Sequence, residues 1–188
     1  MRAEVGRVAM RLFLEQGFDK TTVNEIAAAA GMSHTSFFRY FATKEDVVLG
    51  HLEELGHRVF EALRARPESE SAWQALRHAL DLPINETTAS PEEQLRVARM
   101  FEDAPSLKIR RLSKQLSWYE LLVPEIARRL RIDDYALDPR PRALVAAALA
   151  CLNSAVATWT EADGTIGLPG LVDQAMSAIP EAMKGSTS

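Results

Sequence analysis

The side chains best suited to chemistry are crowded into one short stretch, SHTSFFRYF, at positions 33–41. Hydroxyl, imidazole, guanidinium and aromatic groups follow each other there. His34 and Thr35 can donate to or accept from the edges of DNA bases, and Phe38 can pack on the methyl group of thymine. Other polar side chains in or near the stretch can bind backbone phosphates. These are Ser36, Arg39, Tyr40 and Lys44.

A pair of short helices must position these side chains. The first, VNEIAAAA, is capped by Thr21 or Thr22, and its small alanines allow it to pack closely across a second helix. Gly31 permits the left-handed backbone of a tight turn. Ser33 then caps the second helix, which covers His34–Tyr40. Two such helices joined by AGMS form a helix-turn-helix.

The remainder of the chain shows helical periodicity and no sustained two-residue alternation, so we expect an all-α protein. A first helix is predicted from Ala3 to Gln16, and a fourth begins with KEDVVL after the cap Thr43. We expect a three-helix helix-turn-helix domain at residues 1–46 and a helical ligand-binding and dimerisation domain at residues 47–188. The later helices are predicted over residues 71–82, 92–103, 107–131, 142–161 and 168–183, giving about nine in all.

Prolines are expected to end or bend several helices. Pro83 is predicted to end the helix over 71–82, and the stretch INETTASPEE is predicted to be a loop. Pro124 lies inside a predicted helix and removes a backbone donor, so it should kink that helix. The tail KGSTS is expected to fray.

Composition limits the class of protein. The net charge is −4 and the first 50 residues carry equal numbers of acids and bases, which argues against non-specific coating of nucleic acid. No apolar run is expected to reach the roughly 18 residues needed to cross a bilayer, and charges interrupt the N-terminal stretch. We therefore expect a cytoplasmic protein without a membrane segment. The single cysteine, Cys151, is expected to be a buried small side chain, with redox sensing as the weaker alternative.

Signs of catalysis are absent from the sequence. Its four histidines are scattered, and no zinc-binding His-Glu-x-x-His motif, Gly-rich phosphate loop or nucleophile elbow occurs. We expect no enzyme activity, no catalytic residue, no metal site and no cofactor. A helical interaction or sensor protein that does not bind DNA remains the alternative, because any capped amphipathic helix pair can carry such residues.

The segments LFLEQGFDKTTVNEIAAAAGMS and FFRYFATKEDVV carry a specific resemblance. They are similar to the N-terminal domain of the TetR (tetracycline-repressor) family of bacterial transcription regulators. The family pattern has LF, a Gly-aromatic pair, TT, an I-A dipeptide, AG-small-S and a Y/H-F-x-x-K-E/D ending. The resemblance covers residues 3–50, about a quarter of the chain.

The resemblance implies roles for individual residues. It implies that Asn24 reaches a base edge from the helix before SHTSFFRYF. From its place as the cap at the start of SHTSFFRYF, Ser33 is also expected to lie near the DNA. The resemblance further implies a homodimer that binds palindromic operator DNA and regulates transcription, as a repressor. The residues that it places against bases are His34, Thr35 and Phe38, and those that it places against phosphates are Thr22, Ser36, Arg39, Tyr40 and Lys44.

The C-terminal domain is expected to supply dimerisation and effector binding. A single helix-turn-helix contacts too little DNA for specific binding, so a two-fold dimer is needed. The last two helices are the candidate interface, since small residues recur on a nearly uncharged helix (Ala146, Ala147, Ala150, Ser154 and Ala157). The resemblance implies a small-molecule effector that releases the DNA, and we expect a lipid-like molecule or an acyl-coenzyme A. Bulky candidates to contact it, for which plain core packing is the alternative, are Met100, Phe101, Trp118, Tyr119, Leu122 and Trp159.

Overall fold

The computed structural model describes residues 1–85 and 90–184, and every regular element in them is a helix. There are eleven helices in these ranges. The helices are α1 (Arg2–Gln16), α2 (Val23–Ala29), α3 (His34–Tyr40), α4 (Lys44–Leu49), α5 (His51–Arg64), α6 (Ala72–Ala79), α7 (Asp81–Asn85), α8 (Pro91–Asp103), α9 (Pro105–Arg129), α10 (Arg140–Glu161) and α11 (Leu168–Lys184). The expected fourth helix corresponds to α4 and α5 together, and the helix expected over 71–82 corresponds to α6 and the start of α7, so that about nine helices were expected where eleven occur in these ranges.

Backbone contacts divide the chain into two compact units. The first comprises Met1–Glu54 and Arg96–Lys114, and the second comprises Leu55–Leu95 and Gln115–Ser188. The first unit thus extends past the expected domain of residues 1–46 and includes a segment from much later in the chain. A functional boundary after residue 46 remains a prediction.

The first unit is built around α1. Val5, Ala9 and Phe13 recur every four residues, so they share one face of the helix, and each is at most 2% exposed. That face packs against α2 and α4. The buried core of this unit also contains Phe18, Ile26, Ala27, Phe37, Phe41, Val48, Leu49, Met100, Phe101, Ala104 and Leu107.

The second unit is organised around α10 and α11, which make its most extensive helix–helix contact. Asn153 on α10 and Gln115 on α9 exchange two amide hydrogen bonds of 3.0 and 3.2 Å. The indole of Trp73 on α6 donates to the carbonyl oxygen of Met176 on α11 at 3.2 Å. These polar contacts fix the register of the helices, which apolar packing alone leaves less specific.

A buried guanidinium closes the C-terminal end of α5. The Arg129 side chain is only 2% exposed, and its Nη2 donates to the carbonyl oxygens of Leu63 and Arg66, each at 2.8 Å. Its Nε donates to Glu125 at 3.2 Å. The last carbonyl groups of a helix have no partner within the helix, so this cation satisfies them and opposes their negative potential.

Pro83 and Pro124 both lie inside helices. Pro83 was expected to end a helix, which was wrong: it is the third residue of α7, where its missing N–H costs nothing because the first turn has no acceptor for it. The expected loop INETTASPEE was wrong at its ends, which belong to α7 and α8. Its residues 86–89 and the expected frayed tail at 185–188 lie outside the described residues. Pro124 lies inside α9, and the expected kink there remains a prediction.

The expectation that no segment approaches membrane length was also wrong. Residues 143–160 contain no charge, and α10 is long and apolar enough to cross a membrane by length and composition. The same test is passed by core helices. α10 packs against α11 and α6, and eight of its residues are buried, so its composition fits a helix inside a bundle.

Candidate nucleic-acid interface

Helix α3 has one buried face and one exposed face. The hydroxyl of its cap, Ser33, accepts a hydrogen bond from the amide of Ser36 at 3.1 Å. Phe37 is completely buried and Phe41, one turn later, is 8% exposed. Gly31 has a φ of 66°, the left-handed conformation expected for the turn. The cap, the turn and the buried face agree with the sequence prediction.

The exposed face of α3 carries the residues expected to contact bases. His34, Thr35 and Arg39 are exposed, and Phe38 is 45% exposed. The ring of Phe38 contacts the imidazole of His34 edge-on, with a centroid separation of 4.8 Å. It also meets the buried ring of Phe37 at 5.5 Å. Phe38 therefore has a fixed position despite its exposure, which suits a side chain that packs on a base.

Helix α2 begins with a complete capping box. The amide and hydroxyl of Thr22 donate to the Glu25 carboxylate at 2.7 and 2.8 Å, and the Glu25 amide donates back to the Thr22 hydroxyl. Hydrogen bonds from Thr22 hold the pKa of Glu25 below its usual value. Asn24, in the first turn, is exposed. The structure thus places Thr22 and Asn24 at the accessible start of α2.

A contact that the sequence did not suggest fixes the other end of α3. Arg2 Nη2 donates to the carbonyl oxygen of Tyr40 at 2.8 Å, and its guanidinium lies 5.7 Å from the ring of Phe41. Arg39 lies over the ring of Tyr40 at 5.3 Å. No local pattern could have indicated the role of Arg2, because 38 residues separate it from Tyr40.

Lys44 is held by the protein itself. Its Nζ donates to the carbonyl oxygens of Phe18 at 2.8 Å and Thr21 at 3.2 Å, and it lies 4.3 Å from the centre of the Phe18 ring. The sequence suggested a phosphate contact for this side chain. The other nine residues expected to bind DNA lie on α2, the turn and α3, within the first unit.

The six residues expected to contact an effector fall in both units. Met100 and Phe101 belong to the core of the first unit. Trp118, Leu122 and Trp159 are buried in the second. Tyr119 is half-buried there. Each unit therefore holds only part of the expected set.

Trp118 is packed tightly against α5. A Cβ atom placed on Gly56 would lie 2.4 Å from Trp118 Cδ1 and 2.5 Å from Nε1. Only glycine allows so close an approach of the indole to the helix backbone. In this conformation Trp118, 3% exposed, fills space and does not border an open cavity on that side.

An open cleft of about 420 Å³ lies within the first unit. Its walls come from the end of α1, the turn that follows, and α8. Met100 is the one residue of the expected effector set among its lining residues, which are Phe13, Leu14, Gln16, Gly17, Phe18, Asp19, Lys20, Arg96, Arg99, Met100, Asp103 and Ala104.

Within the described ranges, no three His, Cys, Asp or Glu side chains are close enough together to hold a metal ion. Cys151 is buried, as expected, and its thiol donates to the carbonyl oxygen of Ala175 at 3.4 Å. Burial raises the pKa of this thiol, which keeps it protonated and unreactive.

Comparisons with known proteins agree with this arrangement. Residues 7–50 match the family model of bacterial regulatory proteins of the TetR family, and residues 70–184 match the MftR C-terminal domain. The chain is 32% identical to the transcriptional regulator TcmR of Streptomyces glaucescens over 153 residues, covering 77% of this chain and 66% of TcmR. It is 27% identical to the regulator MftR of Mycobacterium tuberculosis over 129 residues, covering 66% of this chain and 63% of MftR. The chain thus spans just under two thirds of each relative.

Among solved structures, the TetR-family repressor FadR of Thermus thermophilus in complex with lauroyl-CoA matches with a TM-score of 0.66. The match covers 97% of this chain and 95% of FadR at 23% sequence identity. Identity at this level shows a common fold. The two family models account for the helix-turn-helix and for most of the remaining chain. The chain therefore belongs to the TetR family of bacterial regulatory proteins.

Proposed function

We propose that this protein is a transcriptional repressor that binds palindromic operator DNA inside the cell as a homodimer. The observation that carries the proposal is the two-faced helix α3: Phe37 is fully buried, while His34 and Thr35 are exposed on the opposite side. A helix held by its core face and free on the other can enter the major groove, where base edges differ.

Different side chains contact the bases and the phosphates of the DNA. Bases are contacted by His34, Thr35 and Phe38 on α3 and by Asn24 on α2. Phosphates are contacted by hydroxyl groups at the starts of the helices and by Arg39, whose exposed guanidinium lies over the ring of Tyr40. Ser33, Ser36, Thr22 and Tyr40 complete the set around α3.

Dimerisation takes place through α10 and α11. Ala146, Ala150 and Ser154 are exposed and four residues apart on α10, so they form one accessible strip of small side chains. Small side chains let two helices approach closely. A two-fold pair of such helices would cover this strip and set the spacing of the two DNA-binding helices.

The effector is a small hydrophobic molecule that binds the second unit and releases the DNA. The FadR structure with lauroyl-CoA supports a lipid-like or acyl-coenzyme A effector here. Trp118, Leu122 and Trp159 supply buried apolar surface. Because Trp118 lies directly against Gly56, a ligand that bound on that side would displace the indole, and such a movement is how a ligand would bias the protein between two states.

DNA recognition can be tested by selecting bound sequences from a random duplex pool and then measuring affinity against salt. We expect a palindromic site whose affinity falls steeply as salt rises. Thr35→Ala should change the preferred base at one position of each half-site, at a cost of about 1–3 kcal/mol. Arg39→Gln should weaken binding to all sequences equally. Failure to enrich any duplex would instead favour a helical interaction protein that does not bind DNA.

Dimerisation and release need separate experiments. Ala150→Glu should convert the dimer to a monomer in sedimentation, whereas Ala65→Glu, also at an exposed alanine, should not. Lauroyl-CoA added to the complex with the selected duplex should release the DNA at micromolar concentration. If neither lauroyl-CoA nor free laurate changes DNA binding, the effector assignment is wrong while the DNA-binding proposal stands.

A further inference from the structure

We propose that Lys44 is a positioning residue that fixes the start of α2 against α4, and that it makes no phosphate contact. This inference rests on the proposed DNA-binding function and replaces the phosphate contact that the sequence analysis predicted for Lys44. The observation behind it is that two backbone carbonyl groups, those of Phe18 and Thr21, already accept hydrogen bonds from the Lys44 ammonium group.

The donors of Lys44 are largely used within the protein. An ammonium group has three N–H donors. Two of them serve Phe18 and Thr21, at 2.8 and 3.2 Å, and the charge lies 4.3 Å from the centre of the Phe18 ring, which is within the range of a cation–π contact. Moving the ammonium group away toward a phosphate would break these contacts. It would take from the part-buried carbonyl group of Thr21 the donor that Lys44 supplies, which is costly, while the carbonyl group of Phe18 would keep the Thr21 amide at 3.3 Å.

The accepting carbonyl groups explain what Lys44 positions. The carbonyl group of Thr21 belongs to the peptide bond that leads into Thr22, the cap of α2. Lys44 itself is the first residue of α4. One side chain therefore ties the beginnings of both helices together, and α2 carries Asn24 to the DNA.

The turn between α1 and α2 is held from its other side as well. The hydroxyl of Thr21 donates to the carbonyl oxygen of Gly17 at 2.8 Å, and this threonine is only 1% exposed. The Phe18 ring that faces Lys44 is also buried and packs against Phe13 with a centroid separation of 4.9 Å. Lys44 thus completes a rigid turn, so losing it should let α2 shift.

Arg39 provides the contrast. Its side chain is exposed, and the contact recorded for it in the described residues is with the ring of its neighbour Tyr40. Its donors can therefore turn toward a phosphate without leaving buried acceptors behind. Arg39 is the matched control for a true phosphate contact.

The experiment measures operator affinity against salt for the wild type, Lys44→Met, Lys44→Gln and Arg39→Gln. Each phosphate contact adds about 0.9 to the slope of log affinity against log salt, and a dimer carries two copies of each residue. Arg39→Gln should therefore reduce the slope by about two. Both Lys44 variants should keep the wild-type slope and lose roughly tenfold in affinity at every salt concentration. Circular dichroism checks that they are folded, and Lys44→Gln is the milder change.

A double-mutant cycle distinguishes positioning from general destabilisation. If Lys44 places α2, then Asn24→Ala should cost less affinity in the Lys44→Met background than in the wild type, because Asn24 is already displaced. Asn24→Ala and Arg39→Gln should be additive. A slope lowered by about two in Lys44→Met, or additive losses with Asn24→Ala, would overturn the proposal.

An experiment on the protein without DNA tests the positioning role of Lys44 independently of the proposed DNA binding. Amide hydrogen exchange in α2 should be faster in Lys44→Met than in Arg39→Gln if Lys44 holds the start of that helix. Unchanged exchange in both variants would count against the positioning role. If the wild type selects no duplex, the proposed function fails, and faster exchange in Lys44→Met alone would still support the structural part of the inference.

Discussion

Arg110 on α9 donates from Nη2 to Asp46 on α4 at 3.2 Å. The other carboxylate oxygen of Asp46 accepts from the amide and hydroxyl of Thr43, each at 3.0 Å, and so completes the capping box of α4. One carboxylate therefore both caps the N-terminus of α4 and joins α4 to a helix from much later in the chain. The first ten residues of α9 belong to the first unit and its remaining residues to the second.

Breaking this contact should loosen α4 without unfolding the protein. The Arg110 side chain is 43% exposed and that of Asp46 is 21% exposed, so Arg110→Gln should change the free energy of unfolding by less than about 1 kcal/mol. Amide exchange in α4 should nevertheless become faster. Lys108→Gln is the control, because Lys108 pairs with Glu102 and not with α4. Equal exchange rates in the two variants would mean that Arg110 does not hold α4.

The close approach of Trp118 to Gly56 predicts a severe effect of one added methyl group. Gly56→Ala would place a Cβ atom 2.4 Å from the indole, so it should lower the free energy of unfolding by about 1–3 kcal/mol through overpacking. Urea unfolding measures this. Gly6→Ala, inside α1 with its nearest neighbour at 3.9 Å, should instead raise stability by about 0.5–1 kcal/mol. Equal effects at both sites would show that the indole moves aside at little cost.

The buried guanidinium of Arg129 should matter more than its exposed neighbour. Arg129→Met removes the donors to the carbonyl groups at the end of α5, and unpaired buried acceptors should cost about 3 kcal/mol in unfolding free energy. Arg128→Met should cost less, because that side chain is 52% exposed. Thermal unfolding of the two variants in parallel provides the measurement. A larger loss in Arg128→Met would contradict the capping role of Arg129.

Glu70 should make the stability of the protein depend on pH in the acid range. A hydrogen bond from Arg66, supported by one from His78, lowers the pKa of Glu70 to about 2, compared with about 4.3 in an unfolded chain. A depressed folded-state pKa stabilises the protein above the unfolded value, and this stabilisation is lost as the pH falls from about 4.5 toward 2. Glu70→Gln should therefore be less stable than the wild type at pH 7, and the difference should shrink over that range. A difference that stays constant down to pH 2 would exclude this linkage.

The local features of the first four helices were predictable from the sequence because each depends on residues only a few positions apart. The hydroxyl of Thr22, Ser33 or Thr43 caps a helix three residues before the amide that it satisfies. The glycine in the turn and the phenylalanines four residues apart on α3 were predictable for the same reason. The spacing of these residues alone therefore predicted which face of α3 is exposed.

Features that join distant parts of the chain were not predictable in this way. A lysine beside a cap looks the same in sequence whether it meets phosphate or, as Lys44 does, a carbonyl group 26 residues away. Likewise, nothing near Pro83 indicated that a second short helix would follow at once.

The sequence by itself determined where most of the helices start, which of their faces are apolar and which side chains could contact DNA, since these depend on the 3.6-residue period and on caps. Only the tertiary structure decided which charges are already used inside the protein and that Arg96–Lys114 joins the N-terminal helices. It also showed that Trp118 rests on Gly56. The physical reason is that such contacts depend on how helices pack in space, and packing brings together residues whose separation along the chain carries no pattern.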